Sequence, residues 1–446
     1  MSLLLEGDVL RCLDGLIRQH VQVHMAATST PYFRQRLYDV PDTDWPEIVY
    51  RPIFGLNYLV TVPAWRGQLG REECPFDFIG HLIHVFRLVR GVLRDDGTLW
   101  VNLGDKYVGE KPGGKSRRNK GSATAEECLP SATIPPVKNL LGIPARFKLA
   151  MQADGWWLRN DVVWEKPNAS PHPVRDRLTV SHEDIFLFSR RANYYFDEEP
   201  IRTPLAESTK ARDGYRRAMP QRAEHEAKQL GSVRHDHETI SNPGGAQRRT
   251  VWRYATRHAL EGHYAVWPYD LVEPMIRAST SEYGCCAACG APYARLVEQE
   301  PPPEDIRPTS RRTVPGQPAV VNRQANNRKI CDWRAAHPPQ TVGWRKPCAC
   351  DTTDIVRPVV LDPFSGEAST GEEALRLRRD YIGVDADPKN VRTARRRLKP
   401  LENLPLLETG TMLARAEQII PPDQPPEPSA PRRYPDQRNL FENQTP

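Results

Sequence analysis

Residues 360–371 read Val-Leu-Asp-Pro-Phe-Ser-Gly-Glu-Ala-Ser-Thr-Gly, and residues 381–385 read Tyr-Ile-Gly-Val-Asp. The first apolar run ends in Asp362, Pro363 and Phe364. A turn containing Gly366 follows, and a helix is predicted to begin at Ser369 or Thr370. The second apolar run ends in Asp385, about twenty positions after Asp362, the spacing of a nucleotide-type site. Such a turn lets the backbone approach a ligand at the helix N-terminus, and Asp385 can accept from both hydroxyls of a ribose. The same pattern also occurs as a structural turn in other doubly wound proteins, and on its own it leaves both readings open.

The turn resembles the S-adenosylmethionine turn of DNA methyltransferases. The family pattern is Asp-Pro-Phe-x-Gly-x-Gly-Thr-Thr; this chain has Ala368 for the second glycine and Ser369 for the first threonine. If position 368 requires a positive φ, alanine costs about 1 kcal/mol or more there and is expected to push a Cβ toward the ligand. Far upstream, Ser29-Thr30-Pro31-Tyr32 follows the apolar segment Val21 to Ala26. Alone it reads as an ordinary turn. Paired with the first motif, it is similar to the Thr-Ser-Pro-Pro-Tyr-Trp signature of methyltransferases that modify the exocyclic amine of cytosine (N4) or adenine (N6). Thr30 replaces the family's proline.

The chemistry of that reaction accounts for these residue types. The lone pair of an aromatic amine is delocalised into its ring, so the amine is a poor nucleophile. Acceptors must hold its N–H bonds while a sulfonium methyl approaches in line. The resemblance assigns this to the Ser29 hydroxyl and the Thr30 carbonyl, and assigns to Tyr32 the stacking of a base flipped from the duplex. A proline at position 30 would stiffen the carbonyl; threonine leaves it looser. The resemblance also places Asp8 against the cofactor adenine, although Asp8 reads equally as a helix N-cap. Cofactor contacts are expected from Asp8, Asp362, Pro363, Phe364, Gly366, Thr370 and Asp385.

Nine cysteines are unevenly spread, and six lie from Cys285 to Cys350. In a chain expected to be cytosolic, this clustering reads as metal rather than disulfide. Cys286-x-x-Cys289 and Cys348-x-Cys350 are the expected ligands of one structural Zn²⁺, with Cys285 and Cys331 as substitutes. The second pair is more closely spaced than usual. A Cys₄ site leaves no open position, so the expected role is structural.

The 446 residues suffice for two or three domains, and a mean hydropathy of −0.62 indicates a soluble chain. No apolar run approaches the about 18 residues of a membrane span. The N-terminus lacks the basic and apolar regions of a signal peptide, so a cytoplasmic location is expected. A net charge of +6 permits nucleic-acid binding without requiring it. The 43 prolines indicate much irregular chain. Lys106, Lys111, Lys115, Arg117, Arg118 and Lys120 form a basic loop that could grip phosphates or simply be solvated. Lys210, Arg212, Arg216, Arg217, Arg248 and Arg249 pose the same question. His182-Glu183 reads as structural, because amine methylation requires no histidine base there.

These residues need elements to position them. Strands are expected at Leu3–Glu6, Val21–Ala26, Thr98–Leu103, Trp157–Trp164 and Asp184–Phe188. Helices are expected over Val9–Ile17, Phe76–Leu93, Pro144 to about Gly155, and Pro268–Ala278. Residues 34–75 read as irregular. A strand, turn, helix, strand and helix occupy 358–398. The expected fold is therefore α/β: a doubly wound, mostly parallel Rossmann-like sheet. The catalytic segment precedes the cofactor segment, which is the circularly permuted β-type order of the resembling family.

That family resemblance covers most of the chain and extends to Gly97–Asp105, Leu140–Arg146, Asp161–Asn168, Val174–Arg177, Ser181–Glu183 and Gly262–Pro268. It implies a catalytic half at 1–197 with the basic loop at 105–139, and a target-recognition or DNA-contact region at 198–250. A segment closing over the cofactor is expected at 251–284, a zinc-ribbon insert with a Pro/Arg-rich linker at 285–351, and the S-adenosylmethionine-binding half at 352–400. A disordered Pro-rich tail is expected at 401–446. The implied activity is site-specific methylation of double-stranded DNA, cytosine N4 favoured over adenine N6, with a partner restriction endonuclease allowed. The alternative is a DNA-binding relative with weakened or lost turnover, as the departures at Thr30 and Ala368 suggest. RNA or protein methylation has no supporting feature.

Overall fold

The computed structural model describes residues 1–109, 135–171, 174–204, 244–258, 265–303, 333–334 and 336–402. Most of the basic loop lies outside the described residues. So do Lys210, Arg212, Arg216, Arg217, Cys331, most of the Pro/Arg-rich linker, residues 259–264 and the tail beyond 402.

In chain order the strands are β1 (Ser2–Glu6), β2 (Val23–Ser29), β3 (Thr43–Trp45), β4 (Ile48–Tyr50), β5 (Val60–Val62), β6 (Trp65–Gly67), β7 (Leu93–Leu103), β8 (Trp157–Glu165), β9 (His182–Ser189) and β10 (Val251–Arg253). They continue as β11 (Arg257–His258), β12 (Ala265–Val266), β13 (Cys285–Cys286), β14 (Ala294–Glu298), β15 (Gln340–Arg345), β16 (Ile355–Val356), β17 (Val359–Asp362) and β18 (Asp380–Asp385). The helices are α1 (Val9–Arg18), α2 (Pro75–Val92), α3 (Ile143–Ala153), α4 (Tyr269–Ser279), α5 (Ser369–Arg376) and α6 (Pro388–Glu402).

The chain divides into two units, Met1–Phe196 with Thr250–Pro292 and Cys348 onward, and Asp197–Arg249 with Tyr293–Pro347. The first unit holds an eight-stranded sheet of order β1-β18-β17-β2-β7-β9-β8-β10. The pairs from β1 through β7 are parallel, and β9 runs antiparallel to both β7 and β8. Side chains alternate between two cores, as a strand period of two requires. Leu99, Val101, Phe186, Phe188, Leu361 and Ile382 face a core with α1, α2 and α3. Met25, Trp100, Ile185, Leu187, Val360 and Tyr381 face the other, with α4, α5 and α6. Every central strand is thus covered on both faces, which is the doubly wound architecture expected. No helix among the described residues is long and apolar enough to cross a membrane.

Three local expectations are corrected. Residues 34–75 are not wholly irregular: β3 pairs with β6 and β4 with β5, as nested hairpins. Three-residue strands are too short for alternation to register. The strand expected from Thr98 begins earlier, at Leu93 directly after α2, and takes in Asp95, Asp96 and Gly97. Ser29 belongs to the end of β2 rather than to the following loop.

The second unit contains the β14–β15 hairpin, which carries a register shift between Leu296 and Val297. Arg295 pairs with the buried Asp197 at 2.8 Å and lies over the Trp344 ring. Thr203 bridges to Ala246.

Candidate active site

Strands β2 and β17 are parallel neighbours, with Met25 opposite Val360 and Ala26 opposite Leu361. Their C-terminal ends carry the two motifs. The Thr28 hydroxyl donates to Asp362 Oδ1 at 2.6 Å, a buried bond joining residues 334 positions apart. Both motifs open into one cavity of about 760 Å³, at the carboxyl edge of the sheet where α/β proteins bind ligands. Its lining includes Asp8, Ser29, Thr30, Pro31 and Tyr32. It also includes Asp362, Pro363, Phe364, Gly366, Thr370 and Asp385. All the residues expected at the amine and cofactor sites therefore meet in one place.

The cofactor-type turn is built by its own hydrogen bonds. Gly366 has φ +53°, and a Cβ there would meet open space, so backbone conformation is what calls for glycine. The Gly366 N–H donates to Asp385 Oδ2 at 2.8 Å. Asp385 Oδ1 accepts from the Asp387 N–H at 2.8 Å and from Asn390 Nδ2 at 3.1 Å. A carboxylate has about four lone-pair directions. One direction on Oδ2 is thus left, and a second incoming hydroxyl must displace Asn390.

Ala368 does have a positive φ, +60°, as the helix N-cap. Its methyl is fully buried in the core with α4, α5 and α6. The expectation that this Cβ approaches the ligand is corrected: alanine costs strain here, but the strain is stored in the core. Asp8 caps α1 by accepting from the Leu10 and Arg11 N–H groups, and it also accepts from the Thr43 hydroxyl while lining the cavity.

The residue that links the Ser29–Tyr32 end of the cavity together was not expected from the sequence. Asn102, fully buried at the end of β7, accepts through Oδ1 from Ser29 Oγ at 3.1 Å and Trp267 Nε1 at 3.0 Å, and the Tyr32 hydroxyl lies 2.9 Å from the same oxygen. Its Nδ2 donates to Glu183 Oε2 and to the Asp184 carbonyl, and these two bonds fix which way the amide points. Glu183, read as structural, lines the cavity. It accepts from the Tyr32 hydroxyl at 2.7 Å and pairs with Lys166, whose ammonium sits over the Trp164 ring at 4.3 Å. The Tyr32 ring lies so close to Gly104 that a Cβ there would stand 2.6 Å from Cε2. Asn102 and Glu183 lie in the segments Gly97–Asp105 and Ser181–Glu183. The only available signal was a polar residue ending one apolar strand and beginning another.

The chain before the nested hairpins and the hairpins' own ends line the cavity, through Tyr38, Val40, Thr43, Trp45, Gln68 and Leu69. They are fixed to α2 by a buried pair, His81 Nδ1 to Glu72 Oε1 at 2.8 Å, with the His81 imidazole packed against Trp45 and stacked on Trp65.

Burial dominates the site's electrostatics. It raises Asp362 to about 6, against the hydrogen bonds from Thr28, Thr370 and Phe364 that favour its ionised form. Burial likewise pushes Asp385 above the usual carboxylate range. Burial and the Glu183 carboxylate hold the Tyr32 hydroxyl well above its ordinary value, so it stays a donor. Two buried hydroxyls on the cavity lining, Thr30 Oγ1 and Ser369 Oγ, have no partner among the described residues. A ligand with polar edges would satisfy them.

Cys286, Cys289, Cys348 and Cys350 converge, their sulfurs all within 4.8 Å of one another. A tetrahedral ion with Zn–S of about 2.3 Å needs sulfurs roughly 3.8 Å apart, which these positions fit. Burial acts to raise the Cys286 thiol. The backbone N–H groups of Cys289 and Ala288 and the neighbouring thiols of Cys348 and Cys289 outweigh it, lowering the thiol to about 7. The knuckle is attached to the sheet at the edge opposite the cavity. Val359 N–H donates to His24 Nδ1, so the proton sits on Nε2 and is donated to the Gly290 carbonyl at 2.9 Å. Arg94 donates to the Cys289 carbonyl at 2.6 Å. His24 lies near the start of β2 and Ser29 ends it, so the cysteine cluster is a strand's length from the cavity.

Comparison with known proteins agrees with this geometry. The N6/N4 methyltransferase family model, described as DNA methylase, matches residues 23–287. Type II methyltransferase M.Cfr9I of Citrobacter freundii is 33% identical over 279 residues, covering 62% of this chain and 72% of that one. Type II methyltransferase M.XycI of Xanthomonas campestris pv. cyanopsidis is 32% identical over 280 residues, covering 63% and 73%. Type II methyltransferase M.SmaI of Serratia marcescens is 35% identical over 220 residues, covering 49% and 64%. The family match over more than half of the chain and these relatives show that the chain belongs to the N6/N4 family of DNA methylases.

Proposed function

We propose that this chain transfers the methyl group of S-adenosylmethionine to the exocyclic amine of a base extruded from double-stranded DNA, with cytosine N4 favoured over adenine N6. The observation that carries the reading is the single cavity into which Ser29–Tyr32 and the Asp362–Asp385 turn both open. The residues present fit the cofactor: Asp385 has acceptor capacity for ribose, and the unpartnered Ser369 hydroxyl lies at the start of α5. When bound, S-adenosylmethionine supplies a methyl group on a sulfonium, ready for in-line attack.

The chain's own residues then have defined tasks. Ser29 spends its proton on Asn102, which leaves its oxygen lone pairs free to accept from the amine. The Thr30 carbonyl is the second acceptor, and Pro31 fixes the backbone that follows. Tyr32 offers its ring to the base while Asn102 and Glu183 hold its hydroxyl. Methylation leaves the amine with one proton too many. We assign its uptake to Glu183, which lines the cavity and pairs with Lys166. The preference for cytosine rests on serine opening the catalytic motif, where adenine enzymes more often carry aspartate or asparagine.

The cysteine cluster is read as one structural Zn²⁺ site, supported by the convergence of four sulfurs at the sheet edge remote from the cavity. Elemental analysis of chelator-free protein should give about one zinc per chain; folded, metal-free protein would refute it. A cytoplasmic location and a partner endonuclease reading the same sequence fit the Type II relatives. Methylation-aware sequencing of DNA from cells expressing the chain should reveal one modified motif, absent with Ser29→Ala. An unmodified genome would favour a DNA-binding relative without turnover.

A further inference from the structure

The segment between Lys166 and Glu183 is not used by the chemistry above, yet both its ends line the cavity. Its base is closed by the Lys166 N–H donating to the Ser181 carbonyl at 2.8 Å. Asn168 is tied to Thr256 by its side-chain amide, accepting from the Thr256 N–H at 2.9 Å and donating to its carbonyl at 3.1 Å. Farther along, Lys138 pairs with Asp176 at 3.1 Å, and the Arg177 guanidinium lies 3.7 Å from the centre of the Tyr107 ring. Tyr107 follows β7, the strand that ends in Asn102 and Leu103, so this anchorage is at the catalytic edge of the sheet. The residue beside these anchors, Leu178, is 90% exposed, the highest value among the large apolar side chains described.

Single exposed leucines are common and need no explanation. This one differs in place and in mounting. It stands on the loop whose two ends, Lys166 and Glu183, line the cavity, close in sequence to the pinned Asp176 and Arg177, and the charge of Arg175 and Arg177 beside it suits phosphates. We propose that Leu178 is an apolar wedge that enters duplex DNA at the target step and fills the gap left when the base moves into the cavity. Extruding a base costs unstacking and leaves its partner without a neighbour; an aliphatic side chain inserted there recovers apolar contact without base-specific bonds. Pre-anchoring the loop lowers the ordering cost of insertion. The proposal rests on the methyl-transfer reading.

The test uses the full-length protein and short duplexes carrying the motif located by methylation-aware sequencing. One duplex is fully paired. In the other, an abasic position faces the target base, so extrusion breaks no pair. Leu178→Ala should lower methyl transfer into the paired duplex by about tenfold or more, the value of one leucine burial. On the abasic-opposed duplex the loss should be less than about threefold, and Leu178→Met should recover most of the activity on the paired duplex. Cofactor affinity, measured by calorimetry, should be unchanged, which checks the fold. Equal losses on the two duplexes, or none, would overturn the wedge alone. A wild-type chain that methylates no duplex would overturn the proposed function and the wedge with it.

Discussion

Replacing Asp385 by alanine tests the cofactor half of the site most sharply. The carboxylate already accepts three N–H groups, from Gly366, Asp387 and Asn390. Only one lone-pair direction remains for a ribose hydroxyl, and a second hydroxyl has to displace the Asn390 amide. A hydrogen bond to an ionised carboxylate is worth roughly 1.5–3 kcal/mol. One such bond lost corresponds to about 10- to 150-fold weaker S-adenosylmethionine binding. The same change strips the Gly366 and Asp387 N–H groups of their acceptor, so a loss of about 1–2 kcal/mol of stability should accompany it. Calorimetric titration gives the affinity, and denaturant unfolding separates the stability term. Asn390→Ala is the companion variant. If Asn390 yields to the ribose, its removal leaves affinity equal or tighter. Asp385→Ala protein that stays folded and binds within about twofold of wild type would remove Asp385 from the site and refute the lone-pair argument.

Three further outcomes follow from the geometry. Ser29→Ala should cut methyl transfer by about 100-fold, and Tyr32→Ala should cost about 1–3 kcal/mol of lost stacking, while calorimetric cofactor affinity stays nearly unchanged in both. The folded pKa of Asp362, near 6, lies above its ordinary 3.8, so the fold favours the protonated form, and that contribution is lost as pH rises through 6. A sulfonium cation in the same cavity favours the ionised form. Cofactor affinity measured across pH should therefore rise from pH 5 and level off above about 6–7, and the change should be smaller in Asp362→Asn. Ala368→Gly should alter stability by less than about 1 kcal/mol, because relief of the left-handed conformation (about 1–2) is offset by the lost methyl burial (about 0.8) and by glycine's chain entropy. Its cofactor affinity should stay within about twofold, and a tenfold gain would show that the methyl does reach the ligand.

The strands and helices of the central sheet were legible in the sequence from apolar runs that end in turn residues, as in Val359–Asp362, and from helical apolar periodicity, as in Phe78–Val89. The motifs were legible because turn chemistry and residue type agree at Gly366 and at Ser29–Tyr32. The hairpins over 43–67 were not, since strands of three residues leave no pattern. Asn102 and Glu183 were hidden for a different reason. Each is one polar residue at a strand end, and its importance lies in partners far away in sequence, Ser29, Tyr32 and Trp267 for Asn102, which only the folded sheet brings together. The consequence of Ala368 needed the direction of its Cβ, which depends on the packing of α4 and α6. The anchoring of Leu178 depends on contacts with Tyr107 and Thr256 at similar remove.

The central claim is that one cavity performs methyl transfer onto a base amine. The direct measurement is incubation of purified protein with S-adenosylmethionine labelled in its methyl group and unmethylated duplex DNA, followed by digestion and mass analysis of the nucleosides. The expected result is label in N4-methylcytosine, lost with Ser29→Ala. Label in N6-methyladenine would keep the enzyme and change the base. Protein that binds the cofactor yet leaves every nucleoside unlabelled would contradict the account.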